Sequence, residues 1–264
     1  MIYAIDELPT MLKNRVIPCL LLHNGGLVKT QKFANPKYLG DPLNAIRIFN
    51  EKEVDELIVL DISATKEGQE PNYALIEQFA GECFMPLAYG GGIRTVAQAK
   101  QLFALGIEKV CLQTAALEDV SLITRLADQF GSQSILVSLD VKNNWKGKAL
   151  LYCASTGKTL QADWCDYLKQ VIQAGAGEVV LNAVDRDGMM QGMDMDLISR
   201  AAGAVNVPLI AVGGVGSLSD IKDAVDAGAS AVAAGAFFVF HGPHRAVLIT
   251  YPGYNELENL LMPK

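Results

Sequence analysis

Short apolar runs alternate with longer amphipathic stretches along almost the whole chain. The short runs are nearly continuous in Val, Ile and Leu, which is typical of parallel strands buried on both faces. The longer stretches place apolar residues three and four positions apart, which predicts helices. The predicted strands are Val16–Leu22, Glu56–Ile62, Met85–Tyr89, Lys109–Leu112, Ser134–Val141, Glu178–Asn182, Pro208–Val212 and Ala231–Ala234. The predicted helices are Pro42–Lys52, Tyr73–Glu82, Val96–Leu105, Asp119–Phe130, Trp164–Ala174, Met195–Ala204 and Ser219–Ala227. Strands that alternate with helices in this way predict an α/β fold, the (β/α)8 TIM barrel.

An internal repeat supports this architecture. The segment LIVLDIS at 57–63 resembles VVLNAVD at 179–185, about half the chain further on. At the same offset, LAYGGGIRTVAQAKQLFALGIEKV at 87–110 resembles LIAVGGVGSLSDIKDAVDAGASAV at 209–232. Two half-barrel repeats of βα units account for both similarities.

Composition narrows the functional classes. The 264 residues suit a single barrel domain. A net charge of −7 without a basic stripe argues against nucleic acid as a partner. Because no apolar run is long enough to span a bilayer and no signal-peptide core precedes the first strand, we expect a cytoplasmic protein without a membrane partner. The five cysteines form no CxxC pair and the three histidines no zinc pattern, so we expect reduced, mostly buried thiols, no metal and no cofactor.

Two glycine clusters follow predicted strands, where barrel enzymes carry their functional groups. They are Gly90, Gly91 and Gly92 after the third strand and Gly213, Gly214 and Gly216 after the seventh. Backbone N–H groups ahead of a helix can bind phosphate, and the alternative is a tight turn without a ligand. Their occurrence at the repeat offset favours phosphate. The ends of strands four and eight, Gln113–Thr114 and Gly235–Ala236, would complete the two sites, and the substrate would then carry a phosphate at each end.

Several carboxylates also follow predicted strands. Asp140 ends strand five within SLDVK, and we expect it to act as a general acid or base, with a structural hydrogen-bonding role as the alternative. Asp61 ends strand two, and both roles stay open for it. Asp185 and Asp187 either serve the site or fix their loop through an ion pair with Arg186.

The repeat predicts that the site is chemically asymmetric. Aligning VIPCLLL of strand one with ILVSLDV of strand five places Leu21 opposite Asp140. Leucine cannot transfer a proton, so a second acid or base would have to come from elsewhere. His23 and Lys29 follow strand one and could supply it, although a solvated histidine is the simpler interpretation of His23.

Four charged residues stand at or just before the starts of strands one, two, four and six. They are Arg15, Glu56, Lys109 and Glu178. Two acids and two bases placed this way could form a closed ring of ion pairs around the barrel axis, and ordinary surface charge is the alternative.

Taken together, these motifs identify a resemblance to a known family. RVIPCL, DELIVLDISA, YGGGIRT, GIEKVCLQTAA, SLDVK, GAGEVVLNAVDRDG and VPLIAVGGVGS, within about residues 11–240, resemble the cyclase subunit of imidazole glycerol phosphate synthase. The resemblance implies a substrate with two phosphates and a glutaminase subunit docked on the N-terminal face, with Glu108 facing it. Ammonia would travel along the barrel axis past a gate formed by Arg15, Glu56, Lys109 and Glu178. Because that family usually begins near Met11, we expect an extension over 1–10 and one barrel domain over 11–264.

The chain also departs from the family at its substrate end. The two catalytic aspartates fall on Leu21 and Asp140, and the family's residues are replaced at Gln113, Asn182 and Gly235. The residues expected to contact a phosphorylated substrate are Lys29, Asp61, Gly91, Gly92, Gln113, Thr114, Asn182, Asp187, Gly213, Gly214 and Gly235.

Divergent relatives with CLLL at this place are associated with acetamidino modification of bacterial surface-polysaccharide sugars, alongside a glutaminase and an ATP-using amidotransferase. The resemblance implies that function most directly. A genuine cyclase of histidine biosynthesis and a non-catalytic ammonia conduit remain alternatives.

Overall fold

Eight parallel strands close into a barrel in the computed structural model, which describes residues 14–262. The barrel strands are β1 (Arg15–His23), β2 (Leu57–Asp61), β3 (Leu87–Gly90), β4 (Lys109–Leu112), β5 (Ile135–Asn143), β6 (Glu178–Ala183), β7 (Leu209–Val212) and β8 (Ala231–Ala234). Each pairs in parallel with the next, and β8 pairs with β1 to close the circle. The predicted (β/α)8 barrel is confirmed, with strand ends within one or two residues of those expected. The predicted extension over 1–10 lies outside the described residues.

Helices connect the strands on the outside of the barrel. In the described part of the chain they are α1 (Pro42–Glu51), α2 (Tyr73–Glu82), α3 (Val96–Ala104), α4 (Thr114–Glu118), α5 (Ser121–Phe130), α6 (Trp164–Gln173), α7 (Met195–Ala202), α8 (Leu218–Asp226), α9 (Ala236–Val239) and α10 (Tyr254–Leu261). The sequence pattern missed α4, α9 and α10. The first two are about one turn long, too short to show a period. No helix between residues 14 and 262 combines the length and apolarity needed to cross a bilayer.

The segment after β1 is a hairpin, and His23, expected to follow strand one, is the last residue of that strand. His23 still belongs to β1 and pairs with Gly26, and the strand Gly26–Gln31 runs antiparallel to β1. A second strand, Ala34–Gly40, then pairs with Gly26–Gln31. The two-residue turn is Asn24–Gly25, with φ of +51° and +77°. Asn-Gly is the dipeptide that favours such a turn, so this signal was present in the sequence.

Further short strands lie outside the barrel. Ala149–Cys153 pairs antiparallel with the end of β5 and with Lys158–Thr159, and Phe240–His241 pairs with Ala246–Val247. These additions lie at the carboxyl ends of barrel strands or after them, where barrel enzymes build their sites.

The core has two parts. The larger part lies between the strands and the helices, and a smaller apolar cluster lines the inside of the barrel. The inner cluster contains Ile17, Cys19, Leu21, Val28, Ile58, Ala88, Cys111, Leu136, Val180, Ile210, Val212, Ala231 and Ala233. All five cysteines are free thiols, and Cys19, Cys111 and Cys153 are buried.

Candidate functional site at the carboxyl ends of the strands

A cavity of about 1200 Å³, part of it open to solvent, lies at the carboxyl ends of the barrel strands. Most of the predicted site residues line it: Lys29, Asp61, Gly91, Gly92, Gln113, Thr114, Asp140, Asn182, Asp187 and Gly235. Leu21 lines the same cavity, whereas His23 is not among its lining residues. The cavity is therefore the place where the predicted groups come together.

Asp140 is the carboxyl group of this cavity whose pKa departs clearly from its ordinary value. It lies on β5 and is only 5% exposed. Burial raises the pKa of Asp140 to about 7, a hydrogen bond from Ser138 lowers it, and the charge of Asp187 raises it further. The Ser138 hydroxyl donates to Oδ1 over 3.2 Å. Asp140 can therefore either donate or accept a proton near neutral pH.

Asp187 forms a buried ion pair with Lys29. The Lys29 Nζ donates to Asp187 Oδ1 over 2.8 Å, and the hydroxyl of Thr30 donates to Oδ2 over 3.1 Å. The predicted alternative, a loop-fixing ion pair with Arg186, is wrong for Asp187, because Arg186 donates instead to the carbonyl of Gly192. The loop that carries Asp187 is instead held by Lys29 of the hairpin, which is far from Asp187 along the sequence.

The other carboxylates have local roles. Asp61 Oδ1 accepts from the backbone N–H of Ser63, the Ser63 hydroxyl and the N–H of Ala64, over 2.7–3.0 Å. Asp61 therefore orders the turn after β2 while lining the cavity. Asp185 accepts from the backbone N–H of Asn143 over 2.8 Å and is not among the cavity-lining residues.

The two glycine clusters differ in their contact with the cavity. Gly91 and Gly92 line the cavity, with φ of +117° and +73°. Gly213 and Gly214 are buried and do not line it. A Cβ on Gly214 would overlap the carbonyl of Gly192, so close backbone packing already requires glycine there.

The amides beyond Gly214 are also already occupied. Asp220 Oδ2 accepts from the backbone N–H groups of Gly216 and Ser217, both over 2.8 Å. This carboxylate belongs to the capping box of α8.

The replaced family positions make contacts of their own. Gln113 Nε2 donates to the carbonyl of Tyr152 over 2.9 Å, and the Thr114 hydroxyl donates to Gln113 Oε1 over 2.7 Å. Asn182 Oδ1 is buried and has no hydrogen-bond partner within the described residues. At Gly235, a Cβ would lie 2.8 Å from the carbonyl oxygen of Cys19 and 3.1 Å from Lys29 Nζ.

Sequence reasoning missed several cavity residues, among them Thr65, Lys66 and Ser138. Ser138 lies two positions before Asp140 on β5, so the period of two along a strand could have identified it. Thr65 and Lys66 lie in the loop after β2, and the rule that βα loops build barrel sites could have indicated them.

The four charged residues at the strand starts form a closed ring at the opposite end of the barrel. Arg15 bridges Glu56 and Glu178, and Lys109 bridges the same two carboxylates over 2.8 and 2.9 Å. The side chains of Glu56 and Glu178 are 3% and 8% exposed, so their charges are largely desolvated. Burial lowers the pKa of Arg15, but the attraction and hydrogen bonds of both glutamates outweigh it and raise the pKa above its ordinary value.

Comparisons with known proteins give a consistent result. The family described as "Histidine biosynthesis protein" matches residues 15–243. The chain is 53% identical over 249 residues to a Pseudomonas aeruginosa protein named "Putative imidazole glycerol phosphate synthase subunit hisF2", covering 94% of this chain and 99% of the relative. It is 39% identical over 228 residues to an Exiguobacterium sibiricum protein named "Imidazole glycerol phosphate synthase subunit HisF", covering 86% of this chain and 91% of the relative.

Proposed function

Because the chain belongs to the histidine biosynthesis protein family, and within it to the cyclase-subunit type, we propose that it is the synthase barrel of a glutamine amidotransferase system. A glutaminase subunit docks on the N-terminal face and releases ammonia. Ammonia passes along the barrel axis and reacts with a phosphorylated or nucleotide-linked substrate in the cavity.

The observation that carries this proposal is the closed ring of Arg15, Glu56, Lys109 and Glu178 at the end of the barrel opposite the cavity. Between ring and cavity lies the apolar inner cluster. An apolar interior disfavours the ammonium ion and favours neutral ammonia, because an unpaired charge there costs several kcal/mol. The ring thus serves as a gate that separates bulk water from the inside of the barrel.

The cavity supplies acid–base chemistry from one carboxyl group. Asp140 holds or releases a proton close to neutral pH, and Leu21 lines the cavity without a titratable group. The backbone of Gly91 and Gly92, with Gln113 and Thr114, forms the surface for a substrate phosphate in the first half-barrel. Asp140 is therefore the residue proposed to transfer the proton.

For the substrate, we favour a sugar that receives an acetamidino group during surface-polysaccharide synthesis, with an ATP-using amidotransferase as a third component. The support is chemical. Leu21 stands where the family has its second catalytic aspartate, and Gln113, Asn182 and Gly235 replace family residues at the substrate end of the barrel. The second candidate is imidazole glycerol phosphate synthesis itself, which the names of the relatives and the retained Asp140 favour.

One assay separates these candidates. The purified protein is supplied with ammonium and the substrate of imidazole glycerol phosphate synthase, and product is followed by mass spectrometry. We expect no imidazole glycerol phosphate from the wild-type chain, and steady turnover would establish the second candidate instead.

The glutaminase partnership is tested separately. Glutamine hydrolysis by a candidate glutaminase subunit is measured with and without the barrel. We expect the barrel to stimulate hydrolysis and an Asp140→Asn variant to alter the response to substrate. A barrel that leaves the glutaminase rate unchanged contradicts the proposal, and an unaltered response in the variant favours a non-catalytic conduit.

A further inference from the structure

The inside of the barrel changes from apolar to polar along β5. Leu136, Ser138 and Asp140 are two positions apart on this strand, so their side chains point to the same face. Leu136 belongs to the apolar inner cluster, whereas Ser138 and Asp140 line the cavity. Ser138 is therefore the first side chain beyond the apolar cluster on β5 that forms a hydrogen bond.

The neighbouring strand β6 shows the same change at the same level. Val180 of the inner cluster is the register partner of Ser138, and Asn182 is the register partner of Asp140. At the start of the same strand, Glu178 belongs to the ion-pair ring. None of the described residues that form the inner cluster carries a hydroxyl, amide or charged side chain. A small molecule that passes the ring and the inner cluster therefore reaches Ser138 at the boundary of the polar cavity.

Ser138 and Asn182 keep hydrogen-bond acceptors free at this boundary. A hydroxyl donates one hydrogen bond and has two lone pairs that can accept. Ser138 is 9% exposed and donates to Asp140 Oδ1 over 3.2 Å, and no group between residues 14 and 262 donates to its oxygen. Asn182 Oδ1 is buried and likewise has no donor in this part of the chain. Because a buried carbonyl oxygen without a donor is costly, we expect a ligand with N–H or O–H groups beside Asp140.

Ammonia fits this arrangement. It carries N–H donors and a single lone pair, and the lone pair has to stay free to form a bond with the substrate. Its partners in the protein should therefore be hydrogen-bond acceptors, as Ser138 Oγ is. The apolar path that leads to Ser138 also favours a small neutral molecule over an ion.

We infer that Ser138 is an ammonia-binding residue, whose Oγ accepts an N–H of ammonia where the apolar interior ends and holds the nitrogen beside Asp140. This inference rests on the proposed function, in which ammonia enters through the ring. Ser138 then connects the path of ammonia to the carboxyl group proposed to transfer the proton. Both polar groups lie on β5, which suits a site where β1 offers Leu21 instead of a carboxylate.

Carbon-13 NMR of the Asp140 carboxyl group tests this binding. Protein labelled at the aspartate carboxyl carbons is titrated with ammonium chloride at constant ionic strength, and the spectrum of Asp140→Asn identifies the Asp140 signal. Ammonium beside the carboxylate and ammonia beside the protonated carboxyl group contain the same atoms and the same charge, so ammonium chloride near neutral pH probes the site. We expect a saturable shift of the Asp140 signal, and none with tetramethylammonium chloride, which has the charge but no N–H.

Variants of Ser138 separate hydrogen bonding from packing. Ser138→Ala removes the acceptor and should weaken ammonium binding at least about fivefold, which corresponds to one ordinary hydrogen bond. It should also raise the pKa of Asp140, because the hydrogen bond from Ser138 lowers that pKa. Ser138→Thr keeps a hydroxyl and should bind ammonium within about twofold of the wild type. Asp185→Asn removes a carboxylate that does not line the cavity and should change neither value.

The results that would overturn the inference are specific. One is an Asp140 signal that does not respond to ammonium chloride, or responds equally to tetramethylammonium chloride. Another is a Ser138→Ala variant that keeps the wild-type melting temperature and binds ammonium as tightly as the wild type. The glutaminase assay tests the proposed function independently. Stimulated glutamine hydrolysis without ammonium binding overturns this inference alone, whereas failure of both overturns the proposed function as well.

Discussion

The buried carboxyl group of Asp140 makes the stability of this barrel depend on pH. In the unfolded chain the group titrates near its ordinary value of 3.8, and in the folded chain near 7. Below about pH 4 the carboxyl group is protonated in both states, so its burial costs no stability through ionisation. As the pH rises from about 4 to about 7, the unfolded chain releases the proton first, so folding loses stability. Above pH 7 the loss is constant.

The magnitude follows from the two pKa values. A change in the pKa of Asp140 from 3.8 to about 7 corresponds to a loss of ~4 kcal/mol in the free energy of unfolding when the group is fully ionised. Because part of the cavity is open to solvent, we expect about 2–4 kcal/mol. An Asp140→Asn variant keeps the size of the side chain but cannot ionise. It should therefore be more stable than the wild type at about pH 8, and the gain should shrink toward about pH 5.

Urea unfolding of both proteins across this pH range measures the difference. Leu21→Asn is the matched control, because it introduces an amide into the same cavity without removing a carboxyl group. Its difference from the wild type should not vary with pH. A stability gain for Asp140→Asn that is equally large at both ends of the range, or a loss at about pH 8, would refute the argument from burial.

Three other predictions concern the rest of the molecule. Lys109→Met leaves both glutamates of the ring with Arg15 alone, so it should lower stability by about 1–3 kcal/mol and change glutamine-dependent turnover more than ammonium-dependent turnover. Phe84 is 89% exposed between α2 and β3, on the N-terminal face, and Phe84→Ala should weaken glutaminase binding by about 1–3 kcal/mol in surface plasmon resonance without changing the melting temperature. Gly188→Ala should destabilise the barrel by more than about 2 kcal/mol, because its Cβ would overlap the carbonyl of Thr30 in the hairpin. The control Gly147→Ala, with φ of +77° and open space around it, should cost only about 1 kcal/mol. Urea unfolding measures both.

Most of the barrel could be predicted because each strand carries its own evidence. Strands buried on both faces must be nearly continuously apolar, and β4 and β8 begin and end where the pattern placed them. The helix and strand ends that differ do so by one or two residues, since terminal residues carry little of the periodic signal. The hairpin after β1 was missed although Asn24–Gly25 indicated it, because a loop is the usual connection after a barrel strand.

Much of the candidate site could also be predicted, since the carboxyl ends of parallel strands meet at one end of the barrel. That geometry brings Asp61, Gly91, Gln113, Asp140 and Asn182 to one cavity without any knowledge of side-chain packing. The repeat likewise placed Leu21 and Asp140 in the same cavity.

The repeat predicts two phosphate sites, one in each half-barrel. Gly90, Gly91 and Gly92 line the cavity, whereas Gly213 and Gly214 are not among its lining residues. A Cβ on Gly91 would overlap the carbonyl of Asp61, and one on Gly214 would overlap the carbonyl of Gly192, so close backbone packing requires glycine in both clusters.

Local pattern was sufficient for the order of strands and helices, for the barrel and for the set of residues at its mouth, because hydrophobic periodicity is repeated in every βα unit. The sequence offered a ring of Arg15, Glu56, Lys109 and Glu178 with surface charge as the alternative, and only the folded chain decided between them and placed Lys29 against Asp187. Lys29 pairs with Asp187 across the hairpin, and Arg15 and Lys109 close a ring with Glu56 and Glu178. These contacts depend on how distant segments pack at ångström distances, and no single segment carries that information.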